Sequence, residues 1–378
     1  MHHNKRKEKK KKNSQWLLFV LCVIVGAIMG LITVKVLPEM GHDRNFFITL
    51  LTLMMGVFLG GYLQIIIHEV GHLVFGLLSG YKFSSFRISS LMIAKNNEKI
   101  SVKFTKILGT GGQCLMVPPA LVDGKVPYIL YGLGGCIGNV VASLGALMVF
   151  TLFPSNDFIQ LFFITFITFG FLFALMNGIP LKMGMVCNDG YNVMAQKKDP
   201  EAMRAMWLQL SVNERLMNGE SIRTIPEDWL YMPDDKGLKN VLVASVGVFY
   251  ANKLMSMQLF DETLKIINRL LLNDTAVLDL HKRLLLCDKI YCKLLLDDGQ
   301  DSVKRLYDEE QQRFMKQMKK FPSVLRTQYA IELLCNHSPE KAKEAKKTFV
   351  KVARFYPYQS DINDERALMN LCDERALL

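Results

Sequence analysis

Long stretches without a charged residue dominate the first half of this chain and limit what it can fold into. A helix needs about 20 apolar residues to cross a bilayer. Four stretches meet that length, at residues 16–34, 46–67, 127–153 and 158–181, and the second continues with few charges to about residue 80. The sequence therefore predicts four transmembrane helices. The first, over 16–37, is too long for the core of a signal peptide and is expected to be an uncleaved anchor after a basic tail at 1–15.

Basic residues are concentrated beside these spans. Residues 4–13 hold seven basic residues and one acid, and residues 81–126 hold seven and two. Because basic loops stay in the cytosol, the chain is expected to be a multi-pass membrane protein with both termini in the cytosol. The connections 35–45 and 154–157 would then lie outside. Since both clusters flank apolar spans, we expect the lipid bilayer, and no nucleic acid, as their partner.

The segment 81–119 predicts a short membrane-associated β-hairpin on the cytosolic face. Its residues 82–93 and 99–108 are rich in β-branched and aromatic residues and flank a polar, turn-like cluster. Residues 109–119 contain so much Gly and Pro that we expect irregular backbone there.

The second half has an ordinary charged composition. The eight cysteines of the whole chain show no paired CxxC spacing, so reduced thiols are expected. Residues 193–240 predict a linker helix and a loop. Over 241–378, similar helix–turn–helix patterns recur about every 40 residues, which predicts an all-α helical-repeat domain of the tetratricopeptide-like (TPR-like) type. An unrelated helical bundle is the alternative. The three similar stretches are 250–271, 290–314 and 329–357.

The sequence HEVGH, at residues 68–72, lies inside the second apolar span. Residues i and i+4 share one face of a helix, so His68 and His72 can present two imidazoles to one metal ion. Glu69 points about 100° away, within reach of a water on that ion. Zinc makes such a water acidic, and the carboxylate can accept its proton during attack on a carbonyl. Two structural core histidines are the alternative, but ionisable groups in a membrane span are costly and usually functional.

A hydrolytic zinc site needs a third protein ligand and one open position. The stretch at 176–192, at the cytosolic end of the fourth span, offers Asp189 and Cys187. Asp189 is favoured because it is expected at the same membrane depth as HEVGH. A carboxylate also transfers less charge to zinc than a thiolate does. Cys187 remains the alternative ligand, and an ordinary Asp-Gly turn is the structural alternative. A break or bend is expected at Gly60–Gly61, because the second stretch is longer than a bilayer requires.

These motifs resemble the site-2 protease family of intramembrane zinc metalloproteases, in particular its divergent Gram-positive bacterial members. HEVGH is similar to the family's HExxH, and Gly138-Asn139 resembles its pair of a small residue and Asn. The segment from Asn177 to Gly190 resembles its Asn-x-x-Pro…Asp-Gly element, with a longer interval before the Asp-Gly. The resemblance covers residues 46–192 and combines three motifs that are individually common. Because those members are bacterial, the resemblance implies a multi-pass protein of a bacterial cell membrane.

The resemblance implies one zinc ion per chain, with His68, His72 and Asp189 as metal ligands and Glu69 as the general base. It also implies that Asn139 and Asn177 bind the substrate. The implied activity is cleavage of a membrane-spanning or membrane-inserted peptide near the cytosolic face, in regulated intramembrane proteolysis or in the processing of a peptide precursor.

Two other functions remain open. One is a non-catalytic membrane adaptor that binds a cytosolic protein or peptide through its helical repeats. A protease could bind such a partner through the same repeats. The other is a transporter, which is disfavoured because the four spans show no inverted repeat.

Overall fold

The structure is a computed structural model. It describes residues 46–96, 99–104, 111–153, 157–183, 186–296 and 300–377, and scattered helical positions between residues 16 and 31. The predicted basic tail, most of the predicted anchor and the predicted outer connection 35–45 lie outside the described residues.

The chain divides into two compact units. The first, which we call the membrane unit, consists of Met1–Ser89, Gly109–Pro119 and Pro127–Lys197. The second, which we call the helical unit, consists of Ser90–Leu108, Ala120–Val126 and Lys198–Leu378.

Three long helices form the membrane unit and pack against one another: α1 (Phe46–Leu78), α2 (Ile129–Leu152) and α3 (Asp157–Gly178). Their apolar segments have mean hydropathies of 2.0, 1.9 and 2.3 and are long enough to cross a membrane. Large apolar side chains such as Phe58 remain exposed on them, as expected of helices that face lipid. Three of the four predicted spans are therefore confirmed as apolar helices, and the first predicted span lies mostly outside the described residues.

Helix α1 continues through Gly60 and Gly61 without the predicted break. Gly60 instead lies at a close approach of α3, since a Cβ there would be 3.1 Å from the backbone nitrogen of Phe166. Helix α3 ends at Gly178, two residues before Pro180. A proline lacks a backbone donor and disfavours helical geometry in the residue before it, which accounts for this end.

Four short strands lie between α1 and α2 in the chain: β1 (Lys82–Ile88), β2 (Leu91–Asn96), β3 (Lys99–Phe104) and β4 (Gly112–Val117). In the helical unit, β2 pairs antiparallel with β3, which confirms a hairpin at this place. In the membrane unit, β1 pairs antiparallel with β4.

The strands differ from the prediction in two respects. Residues 82–93 do not form one strand, because a turn at Ser89, with φ of 55°, separates β1 from β2. The irregular backbone predicted over 109–119 is wrong for Gly112–Val117, because pairing with β1 satisfies the backbone groups of β4.

After α3 the chain forms a two-stranded ladder and then a short helix. These elements are β5 (Lys182–Met183), β6 (Val186–Cys187) and α4 (Asp189–Lys198).

The helical unit is built from nine further α-helices in the part of the chain that the structure describes. They are α5 (Pro200–Met217), α6 (Val241–Ser256), α7 (Phe260–Leu270), α8 (Asp279–Leu295), α9 (Gln300–Leu306), α10 (Glu309–Gln317), α11 (Pro322–Ala330), α12 (Pro339–Ala353) and α13 (Gln359–Arg375). The pairs α6–α7, α8–α9 and α11–α12 pack together and overlap the three stretches predicted as repeats. Their assignment as TPR-like repeats stays a prediction.

A buried arginine connects three helices of this unit. The Arg326 side chain is 1% exposed, donates from Nε to Glu365 at 2.8 Å and also pairs with Asp288. Its guanidinium lies 4.5 Å from the ring centroid of Tyr291. Because a buried charge is tolerated only when it is paired, this cluster specifies how α8, α11 and α13 meet.

Candidate metal centre

Two histidines on α1 direct one nitrogen each toward the same point. The helix is continuous from Phe46 to Leu78, so His68 and His72 lie one turn apart on one face. Their Nε2 atoms are 3.2 Å apart, and their rings meet edge to face. The spacing that predicted a shared ligand pair is thus realised in the structure.

The other nitrogen of each ring is occupied by a hydrogen-bond acceptor. The Nδ1 of His72 lies 2.7 Å from the backbone carbonyl of Tyr131, which can only accept, so Nδ1 carries the proton. The Nδ1 of His68 lies 2.7 Å from Oδ1 of Asn139. In neutral rings of this tautomer, both Nε2 atoms present bare lone pairs, as metal ligation requires.

Asp189 supplies a carboxylate to the same point. Its Oδ2 lies 3.0 Å from Nε2 of His68 and 3.3 Å from Nε2 of His72. Among the described residues these three form a His/Asp group whose ligand atoms all lie within 4.8 Å of one another. Two lone pairs and a carboxylate oxygen at these distances repel one another unless a proton or a metal ion lies among them. The donor set therefore fits a metal ion.

Electrostatics favours the ionised form of Asp189. Burial alone would raise the pKa of its carboxyl group, but the adjacent His72 and His68 side chains lower that pKa well below its usual range. A proton on His72 or a metal ion among the three side chains has the same effect, since either places positive charge beside the carboxylate.

Asn188 holds Asp189 in place at the end of the long interval after Pro180. The ladder of β5 and β6 takes up the extra residues and returns the chain to the end of α3. The Oδ1 of Asn188 accepts the backbone N–H groups of Leu181 and Tyr191, the second of which caps α4. The lengthened interval therefore leaves Asp189 beside the two histidines.

The amide hydrogens of Asn188 form hydrogen bonds as well. Its Nδ2 donates to the backbone carbonyls of Met176, at 2.6 Å, and Ile179, at 2.5 Å. These carbonyls lie at the end of α3, where the helix leaves acceptors without partners. One side chain thus joins the end of α3 to the start of α4.

The Asp-Gly dipeptide begins helix α4 and is not the ordinary turn that its composition allowed. Gly190 is required there because a Cβ would collide with the backbone carbonyl of Gly178. Cys187, the alternative third ligand, is not part of the group formed by the two histidines and Asp189 in the described chain.

Glu69 follows the first histidine and lies beside strand β4. Its side chain is buried at 7% exposure and fills the space next to Gly112, where a Cβ would lie 2.6 Å from Oε1. Arg87, on β1, is also buried and donates to the backbone carbonyls of Gly112 and Ser89. The carboxylate of Glu69 is therefore separate from the three ligand atoms and adjacent to a strand.

Glycines allow α1 and α2 to approach closely at this level. A Cβ on Gly71 would collide with the backbone of Gly134, and a Cβ on Gly135 would lie 2.5–2.7 Å from three atoms of the His68 ring. Helices with small residues at their interface can bring their backbones together in this way. The glycines thus place the α2 backbone against the ligand pair.

The two asparagines expected to bind substrate have different surroundings. Asn139 has no exposed surface and lies behind His68. Asn177 is partly buried, and its Nδ2 donates to the Phe173 carbonyl one turn earlier in α3. A substrate contact by either residue stays a prediction.

Three contributors to the site were not identified from sequence. The Tyr131 carbonyl and Asn188 carried no recognisable signal, because a carbonyl is present in every residue and Asn is common in loops. Gln64 did carry one, since it is an uncharged polar residue one turn before His68 in an otherwise apolar helix. Its side chain is fully buried against Asn139.

Comparisons of the chain with protein-family models, with curated proteins and with solved structures gave no match. What the chain does must therefore be inferred from the geometry of its own residues.

Proposed function

We propose that this protein is a zinc metallopeptidase of the site-2 protease type that hydrolyses a peptide bond of a membrane-spanning or membrane-inserted peptide. The observation that carries the proposal is the convergence of His68, His72 and Asp189, with the Glu69 carboxylate beside them and outside the ligand set. All four lie in or next to a bundle of three membrane-length apolar helices.

The ligand set supports zinc as the metal. Two imidazoles and one carboxylate are a donor set found in catalytic zinc sites, which leave one position open for a water or a substrate. His68, His72 and Asp189 would hold the ion, one per chain. When bound, zinc would supply Lewis acidity for polarising a carbonyl.

Glu69 would act as the general base and then as the general acid of the reaction. In hydrolysis a water oxygen bonds to the peptide carbonyl carbon, the carbon–nitrogen bond breaks, and the departing nitrogen gains a proton. Glu69 would accept a proton from the water at a carboxylate oxygen and return it to the departing amine. Its burial restricts competing access of bulk water to the carboxylate.

Strand β4 supports an extended peptide as the substrate. It pairs with β1 on one side, and it is the last strand of its sheet in the described part of the chain. A peptide that added to the other edge of β4 would run past Gly112 and so past Glu69. Asn177 and Asn139 would contribute to substrate binding as the family resemblance implies.

The charge distribution supports an orientation with both chain termini in the cytosol and cleavage near the cytosolic face. The family resemblance implies that the membrane is a bacterial cell membrane. The helical unit would bind a cytosolic protein or peptide and so direct or regulate cleavage. A non-catalytic membrane adaptor would also bind its partner through the helical unit but would not need Glu69.

The test is Glu69→Gln in the purified full chain. Zinc content should stay at about one ion per chain because the three ligands are intact, while cleavage of a membrane-inserted model peptide should be lost, since an amide cannot accept the water's proton. Thr165→Val, a buried change in the same bundle and outside the ligand set, serves as the control for expression and folding. Wild-type cleavage by the Gln variant, or wild-type protein that binds no zinc, would overturn the proposal.

A further inference from the structure

Two buried amide side chains lie behind the ligand His68. Gln64 is on α1, one turn before His68, and Asn139 is on the facing part of α2; both are fully buried. Neither is a ligand, and Gln64 belongs to no motif of the sequence. Polar side chains inside an apolar bundle are costly to bury, so their presence calls for a function.

The hydrogen bonds between them define which way the Asn139 amide faces. Its Nδ2 donates to both the backbone carbonyl of Gln64, at 2.8 Å, and the side-chain Oε1 of Gln64, at 2.7 Å. Both amide hydrogens are thereby used. Oδ1 must therefore face the other way, toward Nδ1 of His68 at 2.7 Å.

The orientation of Asn139 decides the chemistry of His68. An amide oxygen accepts a proton, so Nδ1 of the ring must be the protonated nitrogen. Nε2 then has a free lone pair directed at Asp189 and His72. If the amide were reversed, an N–H group would face Nδ1 and favour the tautomer whose Nε2 carries hydrogen and cannot ligate.

Gln64 is held in turn by α3. Its Nε2 donates to the Phe166 carbonyl at 3.0 Å and lies 3.4 Å from Oγ of Ser143. A glycine at position 170 makes room, since a Cβ there would collide with the Ser143 hydroxyl and lie 2.6 Å from Gln64 Nε2. All three spans thus contribute to the orientation of one imidazole.

We propose that Gln64 and Asn139 are positioning residues that select the tautomer and ring orientation of His68 for metal binding. The inference rests on the proposed function in that His68 is a metal ligand, and it assigns Asn139 a task other than the substrate contact implied by resemblance. Partners of this kind behind a ligand histidine change metal affinity by about 10- to 100-fold when they are removed.

The experiment measures metal affinity of the purified full chain by competition with a chelator, with Zn²⁺ and Co²⁺ as probes. Asn139→Leu should weaken affinity within that range, and Gln64→Met, which leaves every ligand and Asn139 in place, should weaken it by about tenfold. The visible spectrum of the Co²⁺ protein should change in both, because it reports ligand geometry. If Asn139→Leu does not fold, Gln64→Met alone decides the question.

The matched control is Thr165→Val. Thr165 is fully buried in the same bundle, and its hydroxyl donates within α3, to the Phe162 carbonyl. It should keep wild-type affinity and spectrum. The double variant Gln64→Met with Asn139→Leu should bind metal as Asn139→Leu does, since Gln64 acts through Asn139.

The outcomes separate this inference from the proposed function, because metal affinity and the Co²⁺ spectrum are measured independently of cleavage. Wild-type affinity and spectrum in both single variants, or an equal change in Thr165→Val, would overturn the positioning role while leaving the peptidase possible. The expected losses in a protein that cleaves no peptide would support the positioning role and count against the peptidase. A wild-type chain without metal affinity would overturn both.

Discussion

The Nε2 atom of His68 lies 3.0 Å from Oδ2 of Asp189, although 121 residues separate the two in the chain. The contact joins a membrane-length helix to the first residue of α4, which follows the last span. It brings a carboxylate oxygen beside the Nε2 atoms of both histidines.

Asp189→Ala should lose both bound metal and cleavage, because only two imidazoles would remain. Cys187→Ser should keep both, since Cys187 is outside the ligand group. Zinc content per chain and cleavage of a model peptide are measured on the two purified variants. If the serine variant loses zinc and the alanine variant keeps it, the third ligand is the thiolate and the assignment of Asp189 is wrong.

Gly135→Ala should weaken metal binding and stability. The new Cβ would lie 2.6 Å from Nε2 of His68, so the ring must move. Forcing an extra methyl group into a packed region costs about 1–3 kcal/mol. Zinc affinity and the midpoint of thermal unfolding in detergent report the two effects.

Gly145→Ala is the matched control for that change. It lies on the same helix, and nothing comes within 4 Å of the position of its added Cβ. Alanine is a better helix former than glycine, by about 0.5–1 kcal/mol, so this variant should be unchanged or slightly more stable. Equal losses of zinc affinity in both variants would mean that the close approach to His68 is unimportant.

Asn188→Ala should lower zinc affinity even though no ligand is altered. The change removes bonds to Leu181, Tyr191, Met176 and Ile179, and each buried group left without a partner costs about 1–3 kcal/mol. Asp189 would lose its fixed position as a result. Zinc titration with a competing chelator measures the effect.

Asn192→Ala, inside α4, removes an asparagine side chain that makes none of these bonds, so this variant should bind zinc normally. Asn188→Asp retains the acceptor oxygen for both N–H groups but loses the donor to the two carbonyls, so it should fall between wild type and alanine. Normal zinc binding by Asn188→Ala would contradict the role assigned to this cap.

The helical unit should lose stability as pH rises toward neutrality because of Asp361. Burial, together with the nearby Glu365 and Asp364 carboxylates, raises the pKa of Asp361 to about 7. The unfolded chain releases this proton at about pH 4, whereas the folded chain keeps it until about pH 7. Between those values the folded state binds more protons, so stability falls as pH rises and levels off above pH 7.

Asp361→Asn should remove this contribution, since an amide does not titrate. The difference in unfolding midpoint between the variant and the wild type should therefore grow from about pH 4 to about pH 7 in favour of the variant. Asp301→Asn, at an exposed position on α9, is the control. A difference that is constant over this pH range would contradict the raised pKa.

Local features of the sequence determined the membrane helices and the histidine pair. Apolar runs of bilayer length predict helices because backbone N–H and C=O groups in lipid must hydrogen-bond within the segment, and α1, α2 and α3 follow that rule. The spacing of His68 and His72 fixes a shared face through the helical period alone. These inferences need no knowledge of any other part of the chain.

Only the tertiary structure decided how the site is completed. The strand at Gly112–Val117 could not be recognised from its Gly- and Pro-rich surroundings, because its hydrogen bonds come from β1 rather than from its own composition. The burial of Asn139 behind His68 and the placement of Asp189 by Asn188 depend on contacts between residues far apart in sequence. Hydropathy and periodicity describe one element at a time, so they predict which face a histidine occupies but not which amide orients it or which carboxylate lies opposite.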